Sequence, residues 1–222
     1  MRELIVNSLL TLDGVMQAPG GPEEDRSGGF DHGGWSFGYW DEQMERAMGE
    51  SMSKPFDLVL GRKTYEIFAA HWPHSDDPGA EPLNAATKHV ASTTRKELEW
   101  ENSKLIEGDV PEGVRALKEE DGPELQVHGG ANLIQTLLEH GLVDEFRLWI
   151  FPLVLGTGKC LFDGGTVPAG LELASSEVSS TGVIMAAYRS GAEIKGGSFA
   201  AEAPSEAELA RRSRGAAERT GG

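Results

Sequence analysis

The chain has 222 residues, with 20 Lys and Arg against 36 Asp and Glu, giving a formal net charge of −16. Its 39% of hydrophobic residues can bury the core of one domain or two small ones, and no run reaches the ~20 apolar residues that span a bilayer. The acidity argues against a nucleic-acid partner, because phosphate backbones are held by clustered Lys and Arg; one cysteine, Cys160, allows no internal disulfide or cysteine zinc site and points to a reducing, cytoplasmic setting.

The first run, Glu3–Leu10, is interrupted by Asn7 and Ser8 and is followed by no small-residue cleavage site, so it reads as a strand rather than a signal peptide. Residues 14–38 hold eight glycines, two prolines and the aromatics Phe30, Trp35 and Phe37, a long loop suited to covering a planar ligand. A helical pattern follows over 41–53, with Asp41 and Glu45 on one face and Met44, Met48 and Met52 on another, expected to face the core. Strands are then predicted at Phe56–Leu60, Lys88–Ser92, Leu125–His128 and Glu145–Leu155, alternating with helices over 63–71, 111–119 and 131–140. The last of these strands is apolar enough to suggest burial on both faces. Leu171–Val178 and Val183–Tyr188, joined by Ser179–Gly182, form a hairpin pattern.

Alternation of this kind predicts an α/β fold: a three-layer αβα domain with a mixed, mostly parallel sheet and an antiparallel C-terminal edge hairpin. Residues 191–222 carry five acids and five bases, which cancel, so the whole −16 belongs to residues 1–190. The expected division is therefore a domain over 1–190 and an Ala/Gly/Glu/Arg-rich flexible tail over 191–222, in which Ser205 and Glu208 form a capping-box pattern for a short helix over 206–218.

Three segments could carry chemistry. In Phe56-Asp-Leu-Val-Leu-Gly61-Arg62-Lys63-Thr64, a buried strand meets a glycine and then a helix that begins with two cations and a hydroxyl. Its backbone N–H groups and bases suit a phosphate, and an ordinary strand-to-helix turn with solvated bases has the same pattern. Glu124-Leu-Gln-Val-His128-Gly129-Gly130-Ala131-Asn132-Leu133 repeats the arrangement with paired glycines, which let a pyrophosphate approach the backbone. His89-Val-Ala-Ser92-Thr93-Thr94-Arg95-Lys96 adds a hydroxyl cluster and two bases that fit a phosphate monoester or a helix cap. Ligands of parallel sheets sit beyond the carboxyl ends of the strands, where all three junctions lie. The group His71-Trp-Pro-His74-Ser-Asp76-Asp77 reads as a loop around Pro73, and no metal site is expected.

In this order the motifs resemble the dihydrofolate reductase superfamily and, within it, proteins with the riboflavin-biosynthesis reductase (RibD C-terminal) domain. The resemblance rests on Ser8–Val15, Leu60–Glu66, Val90–Thr94, Val127–Asn132 and Pro152–Gly158, and covers about residues 2–190. It implies an NADPH-dependent reductase of a small planar heterocyclic or carbonyl substrate, and a homodimer. Gly61, Arg62, Lys63 and Thr64, with Ser92, Thr93 and Thr94, would hold the adenosine phosphates, and Gly129, Gly130, Ala131, Asn132 and Leu133 the pyrophosphate. Leu12–Met16 would lie near the nicotinamide, making Gly14, Val15 and Met16, with His32 and Trp35 of the loop, the substrate contacts.

Proton supply to a C=N or C=O bond needs an acid, and Asp41, Glu45 and Asp13 are the candidates. Riboflavin-pathway reductases usually place Glu before the paired glycines, whereas this chain has His128. True dihydrofolate reductase, 5-amino-6-(5-phosphoribosylamino)uracil reductase and a non-catalytic nucleotide-binding protein remain rival readings. A chain of charge −16 cannot draw in an anionic cofactor by its overall field, so binding is expected to depend on the two helix starts and on Arg62, Lys63, Arg95 and Lys96.

Overall fold

Short runs of Leu, Ile and Val build the centre of an eight-stranded sheet, because residues of this shape pack well on a pleated surface buried on both sides. The computed structural model describes residues 1–162, 166–199 and 203–219. The strands are β1 (Leu4–Thr11), β2 (Phe56–Gly61), β3 (Lys88–Ala91), β4 (Ser103–Leu105), β5 (Glu124–His128), β6 (Glu145–Phe151), β7 (Gly170–Val178) and β8 (Ile184–Ala192). They lie in the order β4-β3-β2-β5-β1-β6-β8-β7. The first six strands pair in parallel, while β8 runs antiparallel to both β6 and β7. The mixed, mostly parallel sheet with an antiparallel edge hairpin is thus observed. Five helices accompany it: α1 (Glu42–Met52), α2 (Arg62–His71), α3 (Ala80–Ala85), α4 (Val110–Glu119) and α5 (Ala131–Glu139).

One face of the sheet is closed by a continuous core, in which Leu4, Val6, Leu125, Val127, Phe146 and Leu148 pack with Val114 of α4 and Ile134 and Leu137 of α5. The other face is covered in two patches. Phe56, Leu58 and Leu60 of β2 lie under Tyr65 of α2 and Leu83 of α3. Phe151 and Met185 lie under Met44 of α1 together with Phe30 and Trp35 of the glycine-rich loop. Between the patches, alternate residues of β1, β5 and β6 line a cleft.

Two elements go beyond the sequence reading: α3, whose six residues are too few for a clear period, and β4, whose three residues pair with the edge of β3. Strand β6 ends at Phe151 rather than Leu155, because Pro152 has no N–H to continue the ladder. It is also not apolar on both faces, since Glu145, Arg147 and Trp149 alternate with Phe146, Leu148 and Ile150 and point to the cleft. On α1, Met44 is fully buried as expected, while Met48 and Met52 line the cleft.

Residues Glu193–Gly222 form a second unit. In it, α6 (Glu206–Arg219) begins at Ser205, whose hydroxyl accepts from the Glu208 N–H at 3.3 Å, and Glu208 pairs with Arg211 and Arg212 at 2.7 and 2.9 Å. Residues 200–202 and 220–222 of the expected tail lie outside the described residues. Among the described residues no helix is long and apolar enough to cross a membrane, and no three His, Cys, Asp or Glu side chains group as metal ligands.

Candidate active site

Helix starts leave backbone N–H groups without partners, and a side-chain cap normally satisfies some of them. Helices α1 and α4 are capped in this way: Asp41 accepts from the Met44 N–H at 2.9 Å, and Asp109 from the Glu112 N–H at 3.1 Å. Helices α2 and α5 begin after Gly61 and Gly130, and neither receives a side-chain cap. Both uncapped starts open on the cleft, so their N–H groups are available to an anion. The two starts also converge. A Cβ placed on Gly130 would lie 3.2 Å from Thr64 Oγ1, and one on Gly61 would lie 3.7 Å from Leu133 Cβ. Gly129 and Gly130 have φ of 68° and 87°, the left-handed region that side chains disfavour. Backbone conformation therefore favours glycine at both positions, and at Gly130 the closeness of Thr64 does so as well.

The cleft measures about 2490 Å³, well above the roughly 300–1,000 Å³ of a pocket for one small ligand. Gly61, Arg62, Lys63 and Thr64, Ser92, Thr93 and Thr94, and Gly129 through Leu133 all line it. Arg62 is bound by Glu66 through two contacts of 3.0 and 3.1 Å. Lys63 is exposed and has no ion-pair partner among the described residues. Neither Arg95 nor Lys96 lines the cleft; the Arg95 guanidinium lies 5.8 Å from the Tyr65 ring centre, with Nε and Nη1 buried.

The three candidate acids separate by their surroundings. Asp41 does not line the cleft. It caps α1 and accepts from the Ser180 N–H at 2.8 Å and the Ser180 hydroxyl at 2.6 Å, and the Ser180 hydroxyl above all holds its carboxyl below the usual range. Asp13 is likewise outside the cleft, accepting from the Thr11 hydroxyl and from the N–H groups of Gly156 at 2.6 Å and Leu155 at 3.2 Å, which lower its pKa in the same way. Glu45 lines the cleft from α1, and its carboxylate has no hydrogen-bond or ion-pair partner among the described residues.

Of the expected substrate contacts, only Met16 lines the cleft. Gly14 makes the turn after β1, Val15 is buried in a bridge with Cys160, and His32 points its ring edge at Phe30 on the exposed loop. Trp35 is a core residue, with Nε1 donating to the Gln17 carbonyl at 2.8 Å and its ring edge-on to Phe151 at 5.1 Å.

The sequence reading passed over the polar floor. Arg147 donates from Nε to Glu145 at 2.8 Å and from both terminal nitrogens to Glu124 at 2.9 and 3.2 Å. Gln126 gives its amide N–H to Glu124 at 2.6 Å, so its oxygen is left to accept, and His128 Nε2 lies 2.8 Å from that oxygen. The His128 proton therefore sits on Nε2. Burial, reinforced by the Arg147 cation, pushes the His128 pKa down to about 4, so the ring is neutral. Trp40 and Trp149 add an aromatic wall, their rings 5.6 Å apart.

The glycine-rich loop is pinned by one buried side chain. Gln17 donates from Nε2 to the carbonyls of Asp25 at 3.0 Å and Ser27 at 2.9 Å, while its Oε1 accepts from the Lys159 N–H at 3.0 Å. Lys159 Nζ in turn pairs with Asp25 and donates to the Ser27 hydroxyl at 2.8 Å.

The chain is similar to known proteins in sequence and fold. The family model described as the RibD C-terminal domain matches residues 2–185. The uncharacterized protein YyaP of Bacillus subtilis (strain 168) is 29% identical over 194 residues, covering 84% of this chain and 94% of the relative. YwjB of the same organism, also uncharacterized, is 30% identical over 112 residues, covering 47% and 57%. Among solved structures, a candidate riboflavin biosynthesis protein of Shewanella sp. PV-4 superposes with a TM-score of 0.65 at 22% identity, over 86% of this chain and 99% of the other. A pyrimidine reductase-like protein of Corynebacterium diphtheriae gives 0.57 at 13% identity, over 86% and 93%. Dihydrofolate reductase of Enterococcus faecalis, solved with NADP(H), gives 0.53 at 14%, over 86% and 97%. At these identities the structural likeness establishes the fold.

Proposed function

Because the chain belongs to the RibD C-terminal domain family, we propose that it is an NADPH-dependent reductase of a small planar heterocyclic or carbonyl compound, acting in the cytoplasm as a homodimer. The observation that carries this reading is the pair of uncapped helix starts, α2 and α5, meeting across Gly61, Gly130 and Thr64 on a cleft whose volume of about 2490 Å³ leaves room for a dinucleotide and a second ligand. Two converging N-termini with left-handed glycines between them suit a pyrophosphate, and Lys63 and the Ser92–Thr94 segment suit the adenosine phosphates. NADPH, when bound, supplies a hydride.

The chain's own groups do the rest. The N–H groups of Arg62 through Thr64 and of Ala131 through Leu133 hold the anion, and Gly129 and Gly130 keep the approach clear. Glu45 is the cleft-lining acid of the three candidates, and a proton passes to the substrate heteroatom by way of its carboxyl, directly or through a water. Met16 and the loop pinned by Gln17 wall the reaction from solvent. Asp41 and Asp13 serve the backbone.

The test is a thermal-shift titration with NADPH, NADH and buffer, followed by NADPH oxidation with dihydrofolate and with the pyrimidine substrate offered in turn. NADPH is expected to raise the melting temperature well above buffer. Equal melting in NADPH and in buffer would remove the reading.

A further inference from the structure

We propose that the part of the cleft beside α1 accepts a neutral or cationic ring compound and turns away substrates that carry a phosphate. The inference rests on the reductase reading and narrows its substrate. The two ends of the cleft differ in what they offer. The end at the carboxyl termini of β2 and β5 has the helix starts and Lys63, with Glu24 and Asp25 of the loop nearby. The other end runs over the sheet toward the amino termini of β5 and β6, where the arginines are already engaged.

Arg147 is bound by Glu124 and Glu145 through three hydrogen bonds, and Arg189 lies 3.6 Å from the second oxygen of Glu145. Glu177 and Glu50, on the rim, share Arg46 at 2.5 and 3.8 Å. That leaves Glu45 and Asp77 lining this end with no cation, against the exposed Lys54 alone. The carboxylates are Glu45, Glu50, Asp77, Glu124, Glu145 and Glu177, and the cations Arg46, Lys54, Arg147 and Arg189; six against four leaves −2 before any ligand arrives. A phosphate entering here meets like charge and finds no arginine fork open to it. A neutral ring meets neither obstacle. It can lie against Trp40 and Trp149 and reach the Asn7 amide on the floor. A cationic ring gains the same wall, whose π-faces attract positive charge, and the unpaired Glu45.

The experiment uses the full chain saturated with NADP+, titrated with 5-amino-6-ribosylaminouracil and with the same compound carrying its 5′-phosphate, followed by tryptophan fluorescence. Turnover is not needed. The unphosphorylated compound is expected to bind on the order of tenfold more tightly at low salt, and the ratio should shrink as salt screens the repulsion. An Asp77→Asn, Glu177→Gln double variant is expected to narrow the ratio as well. Equal or tighter binding of the phosphorylated compound overturns the proposal, and so does the absence of binding by both. Failure of NADP+ itself to shift the melting temperature would instead strike the reductase reading.

Discussion

Replacing Gly130 by Ala tests whether the junction between α2 and α5 is a cofactor cradle. Gly130 sits at φ 87°, ψ 71°, and an added Cβ would stand 3.2 Å from Thr64 Oγ1 and 3.9 Å from Leu133 Cβ. The left-handed backbone alone costs a residue with a Cβ about 1–2 kcal/mol, and the Thr64 contact is tight enough to force a shift. For a chain of this size each kcal/mol lowers the melting temperature by about 2–4 °C, so the variant is expected to melt about 2–8 °C below the parent. Calorimetry with and without NADPH reads both effects, because the shift given by the cofactor should shrink as well. Gly130→Asn separates the causes: asparagine tolerates the left-handed region, so most of the stability should return, while its side chain still crowds Thr64 and keeps the cofactor shift small. An alanine variant that melts with the parent and retains the full NADPH shift would refute the reasoning.

Glu45→Gln is expected to lower turnover by about 10²-fold or more, while Asp41→Ala lowers the melting temperature by removing the α1 cap yet leaves turnover near the parent value; steady-state rates and melting curves on both variants decide it. Lys88 is fully buried, donates to the Asn84 carbonyl at 2.7 Å and lies 4.2 Å over the Trp100 ring. Burial lowers its pKa from 10.5 to about 8, so between those values the unfolded chain holds a proton that the folded chain releases, and stability rises with pH across this window. The stability difference between Lys88→Met and the parent should therefore change between pH 8 and 10, and a constant difference would exclude it. For His128, held near 4 against a usual 6.5, the same linkage makes stability fall as pH drops from 6.5 toward 4; the fall should be smaller in His128→Gln, and nitrogen NMR should find the proton on Nε2 with no titration above pH 5.5. Because the charge of −16 repels an anion, NADPH association measured by stopped flow should quicken as salt is added.

What could be read from the sequence was local. Gly61-Arg-Lys-Thr64 and Gly129-Gly-Ala-Asn132 each place strand, glycine and helix start within a few residues, and both junctions lie on the cleft. The floor depends instead on register. Asn7 meets Gln126 only because β1 pairs with β5, and Arg147 reaches Glu124 only because β1 lies between their strands. A local signal was nevertheless present, for Glu124-Leu-Gln-Val-His128 and Glu145-Phe-Arg-Leu-Trp149 alternate polar and apolar residues at the period of a strand with one wet face. Asp41, Glu45 and Asp13 looked alike as acids; what distinguishes them is how many N–H and O–H donors each already serves, and a serine as distant as Ser180 decides the case of Asp41. The eight glycines of residues 14–38 suggested a long loop covering a planar ligand, and a single buried glutamine, Gln17, ties that segment at three points.

The strand order has a consequence for synthesis. The parts of the cradle, β2, α2, β5 and α5, all precede Leu142, whereas β6 and β8, which carry Arg147, Trp149 and Arg189, come after it. An emerging chain thus possesses its anion-holding half before β6 and β8 complete the other end of the cleft, and until β6 arrives β1 presents one unpaired edge. Translation pausing between α5 and β6 would leave that edge open to neighbouring chains, making this interval the one in which the nascent protein is most exposed to aggregation.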